Sequence, residues 1–294
     1  MNNLTKASHY VPRHAHAPSP ERAAGTRTWP DYIPGVRIAT WNVNSLKARL
    51  ARVEEWLAYA QPDVLCLQET KCSDKAFPAL SFSVLGYDSA HYGQGQWNGV
   101  AILSRVGITD TATGFGDLPD PYEGDARLLA ATCGGVRIVN AYAPNGRVVD
   151  SEHYVRKLAW FEQLRTWLDA TATPDDPLVL LGDFNVAPED RDVWSMAAFA
   201  GATHVTEPER LAVQRLYEWG MVDAFRSCYD QDRLFTYWDY RRGDFHQHRG
   251  MRIDLVLVTR ALAPRVQWAL IDRNARKGPQ PSDHAPVLVD LDLD

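Results

Sequence analysis

From Val36 onward the chain alternates between two hydrophobic periods. The segment VRIATWN (36–42) is a short apolar run and reads as a strand. Leu46, Leu50, Val53 and Leu57 then recur at helical spacing, so an amphipathic helix is expected from Leu46 to Tyr59. DVLCLQE (63–69) is a continuous apolar stretch that ends in an acid, the pattern of a strand buried on both faces. GVAILS (99–104) reads as another strand, and Leu128–Thr132 and Val136–Tyr142 form a pair split by Cys133-Gly134-Gly135, a hairpin signal. Tyr154 to Leu168 and Glu207 to Trp219 are helical in period, while PLVLLGD (177–183), RIDLVLV (252–258) and APVLVDLDL (285–293) complete the strands.

One order occurs twice. VRIATWNVN, a helix and DVLCLQE fill 36–69; VRIVNAYAPN, a helix and PLVLLGDFN fill 136–185. Each half runs strand, polar loop, helix, strand, acid. The repetition points to an internally duplicated α/β sandwich whose polar strand ends converge on one edge, where α/β folds place their ligands.

Composition narrows the class. Of 294 residues, 45% are hydrophobic and 23% charged, which supports a packed core and excludes a disordered chain. No apolar run is long enough for a transmembrane helix. The formal net charge is −6, yet residues 233–277 hold ten Arg or Lys against four acids, a local excess suited to phosphate contact. The four cysteines show no CxxC pair and no zinc spacing, and Cys66 sits in an apolar run, so a reduced, cytoplasmic protein is expected. Residues 1–35 stand apart, with His9, His14, His16 and Pro12, Pro18, Pro20, Pro30 and Pro34. They lack the apolar segment of a secretory signal and read as a disordered tail, leaving 36–294 as a single catalytic domain.

The candidate chemistry lies at the strand ends: Asn42, Asn44, Glu69, Tyr142, Asn145, Asp183, Asn185, Asp254, Asp283 and His284. Gly182-Asp183-Phe184-Asn185 also suits a plain turn in which the Asp side chain caps the backbone. Asp254 is harder to explain structurally, because a carboxylate among Ile253, Leu255 and Val256 needs a partner such as an imidazole. Glu69 ends an apolar run in the same way. Carboxylates and amides with one His and no thiolate favour a hard cation, Mg²⁺ or Mn²⁺. That set points to metal-assisted phosphodiester chemistry.

Six motifs occur in order: Trp41-Asn42-Val43-Asn44, Leu67-Gln68-Glu69-Thr70-Lys71, Asn140-Ala141-Tyr142-Ala143-Pro144-Asn145-Gly146, Gly182-Asp183-Phe184-Asn185, Arg252-Ile253-Asp254 and Ser282-Asp283-His284. Over 36–294 the chain thereby resembles the exonuclease III family of abasic-site endonucleases, within the endonuclease/exonuclease/phosphatase superfamily. The resemblance implies a four-layer α/β sandwich with two central mixed β-sheets. It implies a Mg²⁺-dependent repair nuclease that cuts 5′ to abasic sites in double-stranded DNA and removes 3′ nucleotides or 3′-blocking groups, acting as a monomer and away from membranes.

By the same resemblance Glu69 is the principal metal ligand, supported by Asn42, with Asp283 a further ligand or a group serving the leaving oxygen. Asp183 orients or activates water and touches the metal; Asn185 holds that water or a phosphate oxygen; Tyr142 donates to the phosphate. Asp254 fixes the tautomer of His284, which contacts the scissile phosphate. Asn44 stands where some relatives carry an acid, and an amide weakens any second metal contact there. In the segment 235–252, Tyr237 and Met251 take the positions of opposite walls of a lesion pocket, or else are core residues, and Arg249 and Arg252 are expected to contact DNA. Trp238 reads as core. Two rival readings remain: a phosphodiesterase acting on small or lipid phosphates, against which the long basic rim argues, and an inactive nucleic-acid-binding relative, against which Glu69, Asp183, Asp254 and His284 argue.

Overall fold

The structure, a computed structural model, describes residues 35–293. The tail expected to be disordered, 1–35, lies outside the described residues except for Gly35. The described residues form twelve strands and five α-helices. The strands are β1 (Val36–Asn42), β2 (Val64–Gln68), β3 (Asp88–Tyr92), β4 (Val100–Ser104), β5 (Thr109–Thr113), β6 (Leu128–Cys133), β7 (Val136–Tyr142), β8 (Leu178–Asp183), β9 (Met221–Asp223), β10 (Asp254–Thr259), β11 (Val266–Ile271) and β12 (Val287–Leu291). The helices are α1 (Leu46–Ala60), α2 (Ala79–Val84), α3 (Glu152–Thr171), α4 (Glu207–Trp219) and α5 (Ala224–Cys228).

Two six-stranded sheets result, in the orders β11-β12-β1-β2-β4-β3 and β5-β6-β7-β8-β10-β9. They correspond position by position. The central pair in each is parallel, β1 with β2 and β7 with β8. It is linked by a long helix, α1 or α3, and flanked on both sides by antiparallel strands. The repeated order in the sequence is thus a repeated topology.

Alternation along the strands builds the layers. Ile38, Cys66, Ile102, Ile138, Val179, Val256 and Val289 form one core cluster to which both sheets contribute. Their neighbours Ala39, Trp41, Leu65 and Leu67 face the other way, against Leu46, Val53, Trp56 and Leu57 of α1. Val139, Leu180, Leu255 and Leu257 likewise pack on Trp160, Phe161 and Leu164 of α3 and Val213 and Leu216 of α4. The result is the expected sequence of layers, helix, sheet, sheet, helix. Trp238 is fully buried in a small cluster with Phe235 and Ala285, as expected of a core residue.

Local rules set the elements that reach the site. Gly134 and Gly135 both have positive φ (57° and 80°), the two-residue turn that joins β6 to β7. Helix α4 starts on a reciprocal cap, with the Thr206 side chain accepting from Glu209 N–H and the Glu209 side chain accepting from Thr206 N–H. At Gly182 (φ 145°) a Cβ would collide with the Ala141 carbonyl, so only glycine lets β7 and β8 approach just before Asp183.

Candidate active site

The C-terminal ends of β1, β2, β7 and β8 converge with the start of β10 and the loop entering β12. Asn42, Glu69, Tyr142, Asp183, Asp254 and His284 are brought together there from six separate chain segments.

The loop holding Asp283 and His284 is tied down from below. Ser282 Oγ donates to Asn42 O (2.7 Å), His284 N–H to Ser282 Oγ (3.2 Å), and Trp41 Nε1 to His284 O (3.1 Å). Asp254 begins β10 directly opposite Asp183, the last residue of β8. Its carboxylate faces His284 Nδ1 at 2.8 and 3.0 Å. The other ring nitrogen, Nε2, lies 3.9 Å from Asp183 Oδ2. Burial alone would lower the imidazole pKa, but the carboxylates of Asp254 and Asp183 raise it to about 10, so His284 is cationic at neutral pH.

Asp183 is almost fully enclosed. Its oxygens accept from Asn185 N–H (2.9 Å), Asn42 Nδ2 (2.9 Å) and Asn185 Nδ2 (3.3 Å). Burial raises its carboxyl to about 7 against the opposing charge of His284. A carboxyl near neutrality can both accept and release a proton. Asn185 N–H bonding to Asp183 Oδ1 is the turn cap anticipated for this motif; the same cap aims the carboxylate into the site.

Glu69 follows β2 in a left-handed conformation (φ 52°), as does Asn185 after β8 (φ 51°). Non-glycine residues held there carry strain and cluster where function fixes a side chain. Burial opposes ionisation of Glu69. Lys71 Nζ at 2.7 Å from Oε2 and Asn42 Nδ2 at 2.8 Å from Oε1 prevail, and its carboxyl stays below the ordinary range. Tyr142 is pushed the opposite way: burial and the Glu69 and Asp183 charges raise its phenol well above the usual value, which keeps the hydroxyl protonated. The Arg127 guanidinium lies 4.9 Å from the Tyr142 ring centroid.

Asn42, expected to support the metal, donates through Nδ2 to Glu69 and Asp183 and accepts through Oδ1 from Asn44 N–H (2.9 Å), so it orients the two carboxylates. Other expectations need correction. Arg252 was expected to contact DNA, but it is 1% exposed and its guanidinium is spent on Asp192 (2.7 and 3.1 Å) and Asp223 (2.7 Å). Tyr237 and Met251 were expected on opposite walls. They are antiparallel partners, exchanging N–H to O bonds of 2.9 and 3.0 Å, so their side chains share one face. Met251 packs on Val193, Val205 and Ile253, whereas Tyr237 is half-buried with its ring centroid 5.0 Å from His284. Arg249 is half-buried over the Trp194 ring at 5.2 Å.

Sequence reasoning assigned no role to Lys71, although it sits two residues past the strand-end acid. Its Nζ bonds Asn44 Oδ1 (2.6 Å), and Asn44 Nδ2 in turn reaches Asp283 Oδ1 (3.1 Å). Beside Tyr142 and Asn145 a cleft of about 440 Å³ is lined by Trp97, Arg127, Arg147 and Arg156, none of which lies in the basic window. Their signal in the sequence is weak, because the cationic edge is assembled from three separate segments.

The donor set fits a divalent hard cation. Glu69 and Asp183 share the Asn42 amide, Asp283 is linked to Glu69 through Asn44 and Lys71, and the set contains no thiolate. The grouping of Asp183, Asp254 and His284 is geometrically compact too. Asp254 nevertheless spends both oxygens on the His284 ring, and a cationic imidazole repels a metal, so the Glu69 side of the cluster suits the ion better.

Two sheets of matching order, with carboxylates, amides and an Asp-paired histidine at their joint edge, define a phosphoester-hydrolysing α/β sandwich. Residues 39–284 match the Endonuclease/Exonuclease/phosphatase family, and the chain belongs to it. It is 32% identical over 271 residues to exodeoxyribonuclease III of Haemophilus influenzae, covering 87% of this chain and all of that one. An AP endonuclease from Archaeoglobus fulgidus superposes with a TM-score of 0.84 at 37% identity, over 88% of this chain and 100% of its own. A 3′ phosphatase from Neisseria bound to a product DNA hairpin gives 0.83 at 37% identity, over 87% and 99%. The chain is therefore a hydrolytic nuclease of the exonuclease III type, within a metal-dependent superfamily.

Proposed function

We propose that this chain is a Mg²⁺-dependent DNA repair nuclease that hydrolyses the phosphodiester 5′ to an abasic site and removes 3′ nucleotides or 3′-blocking groups from duplex DNA. The observation that carries the reading is the His284–Asp254 pair set 3.9 Å from Asp183, with Glu69 bound to the same Asn42 amide as Asp183. Every group needed to hold and split a phosphodiester then lies within one strand-end cluster.

Asp183 serves as proton acceptor for the attacking water, since its raised carboxyl is poised to take a proton near neutral pH. Asn185 Nδ2 and Asn42 Nδ2 fix its orientation. His284, cationic and held by Asp254, faces the phosphate and stabilises the negative charge that develops on its oxygens. Tyr142 donates from a hydroxyl that stays protonated. Glu69, with Asp183 and Asp283, would hold the cation. When bound, a divalent cation polarises the phosphoryl oxygen and neutralises leaving-group charge.

Arg127, Arg147 and Arg156 supply positive charge along the cleft for the DNA backbone, Arg249 over the Trp194 ring is a further cation, and Tyr237 stands beside His284. That rim suits a polymer over a small phosphate ester. All four cysteines are free, which suits work in a reducing compartment, and no described helix is long and apolar enough to cross a membrane. The direct test is a labelled duplex with one abasic site, incubated with Mg²⁺ and with EDTA. Incision 5′ to the lesion only with Mg²⁺ is expected; no incision, or equal incision in EDTA, rejects the reading.

A further inference from the structure

Lys157 lies in α3 among Tyr154, Trp160 and Phe161 and is fully buried. A lysine rarely sits in such a place without paired groups. Its Nζ reaches Glu209 Oε1 (2.5 Å), Asn185 O (2.7 Å), Asn145 O (3.3 Å) and Thr203 Oγ1 (3.4 Å). Asn145 follows β7 and Asn185 follows β8, so one ammonium group ties together the two loops that carry Tyr142 and Asp183.

The anchor is itself fixed. Glu209 completes the reciprocal cap of α4 with Thr206, and beyond Lys157 its carboxylate accepts from Thr203 Oγ1, His204 N–H (2.9 Å), Thr206 N–H (3.1 Å) and Thr206 Oγ1 (2.8 Å). Gly146 closes on the lysine so tightly that a Cβ there would lie 2.9 Å from Lys157 Cδ. Burial lowers the lysine pKa, and Glu209 pulls against that shift. A buried pair of this kind gains little stability over apolar packing of the same volume. What it supplies is fixed position.

The geometry it fixes is strained and lies beside the chemistry. Asn185 is left-handed (φ 51°), and its carbonyl accepts from both Lys157 and His204 Nδ1 (2.6 Å). Its side chain is clamped at both ends: Oδ1 accepts from Asn145 Nδ2 (3.1 Å), while Nδ2 donates to Ala143 O (2.9 Å) and Asp183 Oδ2 (3.3 Å). Lys157 Nζ bonds both the Asn145 and the Asn185 carbonyls; Thr203 Oγ1 also reaches the Asn145 carbonyl (3.1 Å), and Asn145 Nδ2 crosses to Asn185 Oδ1.

We propose that Lys157, paired with Glu209, is a positioning residue for hydrolysis: it locks the loops after β7 and β8 so that Asn185 holds Asp183 in its working orientation. This rests on the reading of Asp183 and Asn185 as the water-handling pair. A residue acting this way lowers turnover when removed, without touching the substrate.

The experiment uses the full chain with Mg²⁺ on an abasic duplex, measuring kcat, KM and the melting temperature. Lys157→Met alone strands the Glu209 carboxylate, so both stability and kcat fall. The double variant Lys157→Met/Glu209→Leu removes both charges. It is expected to recover most of the melting temperature while kcat stays down about tenfold or more and KM moves less than about threefold. In an Asn185→Ala background the same double change should cost less than about twofold further, because its effect runs through Asn185. Recovery of kcat together with stability overturns the proposal, as do losses that multiply independently. If the double variant does not fold, Lys157→Met/Glu209→Gln decides: the amide keeps an oxygen for the α4 cap while the ammonium is gone, and an unchanged kcat for it overturns the proposal. A wild-type chain that cannot cut the duplex removes the site reading and this inference with it, whereas an active wild type with the outcomes above rejects the inference alone.

Discussion

Asp183 and Asp254 are direct cross-strand partners at the open end of the second sheet, and the His284 ring is set between their carboxylates. Two buried acids on adjacent strands would repel one another; the imidazolium between them offsets that repulsion, and burial still leaves the Asp183 carboxyl raised to about 7. Replacing Asp254 by Asn removes the carboxylate charge that holds the His284 ring cationic. Turnover on abasic duplex is expected to fall about 10²-fold or more, with KM for DNA little changed. Steady-state kinetics on the purified variant checks this; a kcat within a few-fold of wild type would show that the pair is only structural.

The Glu69 carboxylate is partly exposed and is held by Asn42 and Lys71. Glu69→Gln should raise the Mg²⁺ concentration for half-maximal activity, because an amide is a poorer ligand for a hard cation. Titrating activity against Mg²⁺ decides it: superimposable curves for the two proteins would remove Glu69 from the metal site.

Arg252 and Arg249 are expected to behave oppositely. Arg252→Met takes from buried Asp192 one of its two arginine partners and from Asp223 its ion pair, and should cost about 3–5 kcal/mol of stability. Arg249→Ala should leave the melting temperature nearly unchanged and reduce the salt dependence of DNA binding by about one charge. Equal salt slopes for Arg249→Ala and wild type would show that Arg249 does not meet phosphate.

The same network sets an acid limit. Burial opposes ionisation of Asp192, but Arg252 and Arg226 hold its carboxyl below the ordinary range. A depressed carboxyl contributes stability that is complete above the ordinary value, about pH 3.9, and is lost as pH falls through the folded-state value. The stability difference between wild type and Asp192→Asn should therefore be constant from pH 7 to 5 and shrink below pH 4. Urea unfolding across that range measures it; a gap that widens in acid contradicts the sign.

The parts legible in the sequence were those whose signal is local. β1, β2, β8, β10 and β12 are buried on both faces and read as apolar runs, and the acids at their ends marked the site edge. β3 and β5 are edge strands, and all of Thr109–Thr113 is exposed, so they carry no hydrophobic alternation to read. β9 has only three residues, and β11 edges the other sheet. Arg252 was misread for a different reason: its partners Asp192 and Asp223 are 60 and 29 residues away, so its positive charge looked free. Lys157 had a visible cue, a lysine on the apolar face of a helix. Its partners at 145, 185, 203 and 209 come together only in the fold.

Tyr237 and Met251 separate lesion recognition from packing. Met251 is 5% exposed in a cluster with Val193, Val205 and Ile253, so Met251→Ala should cost about 2–5 kcal/mol, and both nuclease activities should fall together as the face beneath Tyr237 loosens. Tyr237 lies on top of it, half-buried, its ring against His284. An abasic sugar must leave the helix to reach the catalytic edge, and an aromatic surface there favours it. Tyr237→Ala is therefore expected to weaken abasic-site incision more than 3′ trimming, since a 3′ end is already unstacked, with a melting shift much smaller than that of Met251→Ala. Parallel assays of both activities on the two variants, with melting curves, distinguish the roles. Should Tyr237→Ala depress incision and trimming equally and melt as early as Met251→Ala, Tyr237 belongs to the packing and not to the recognition of the lesion.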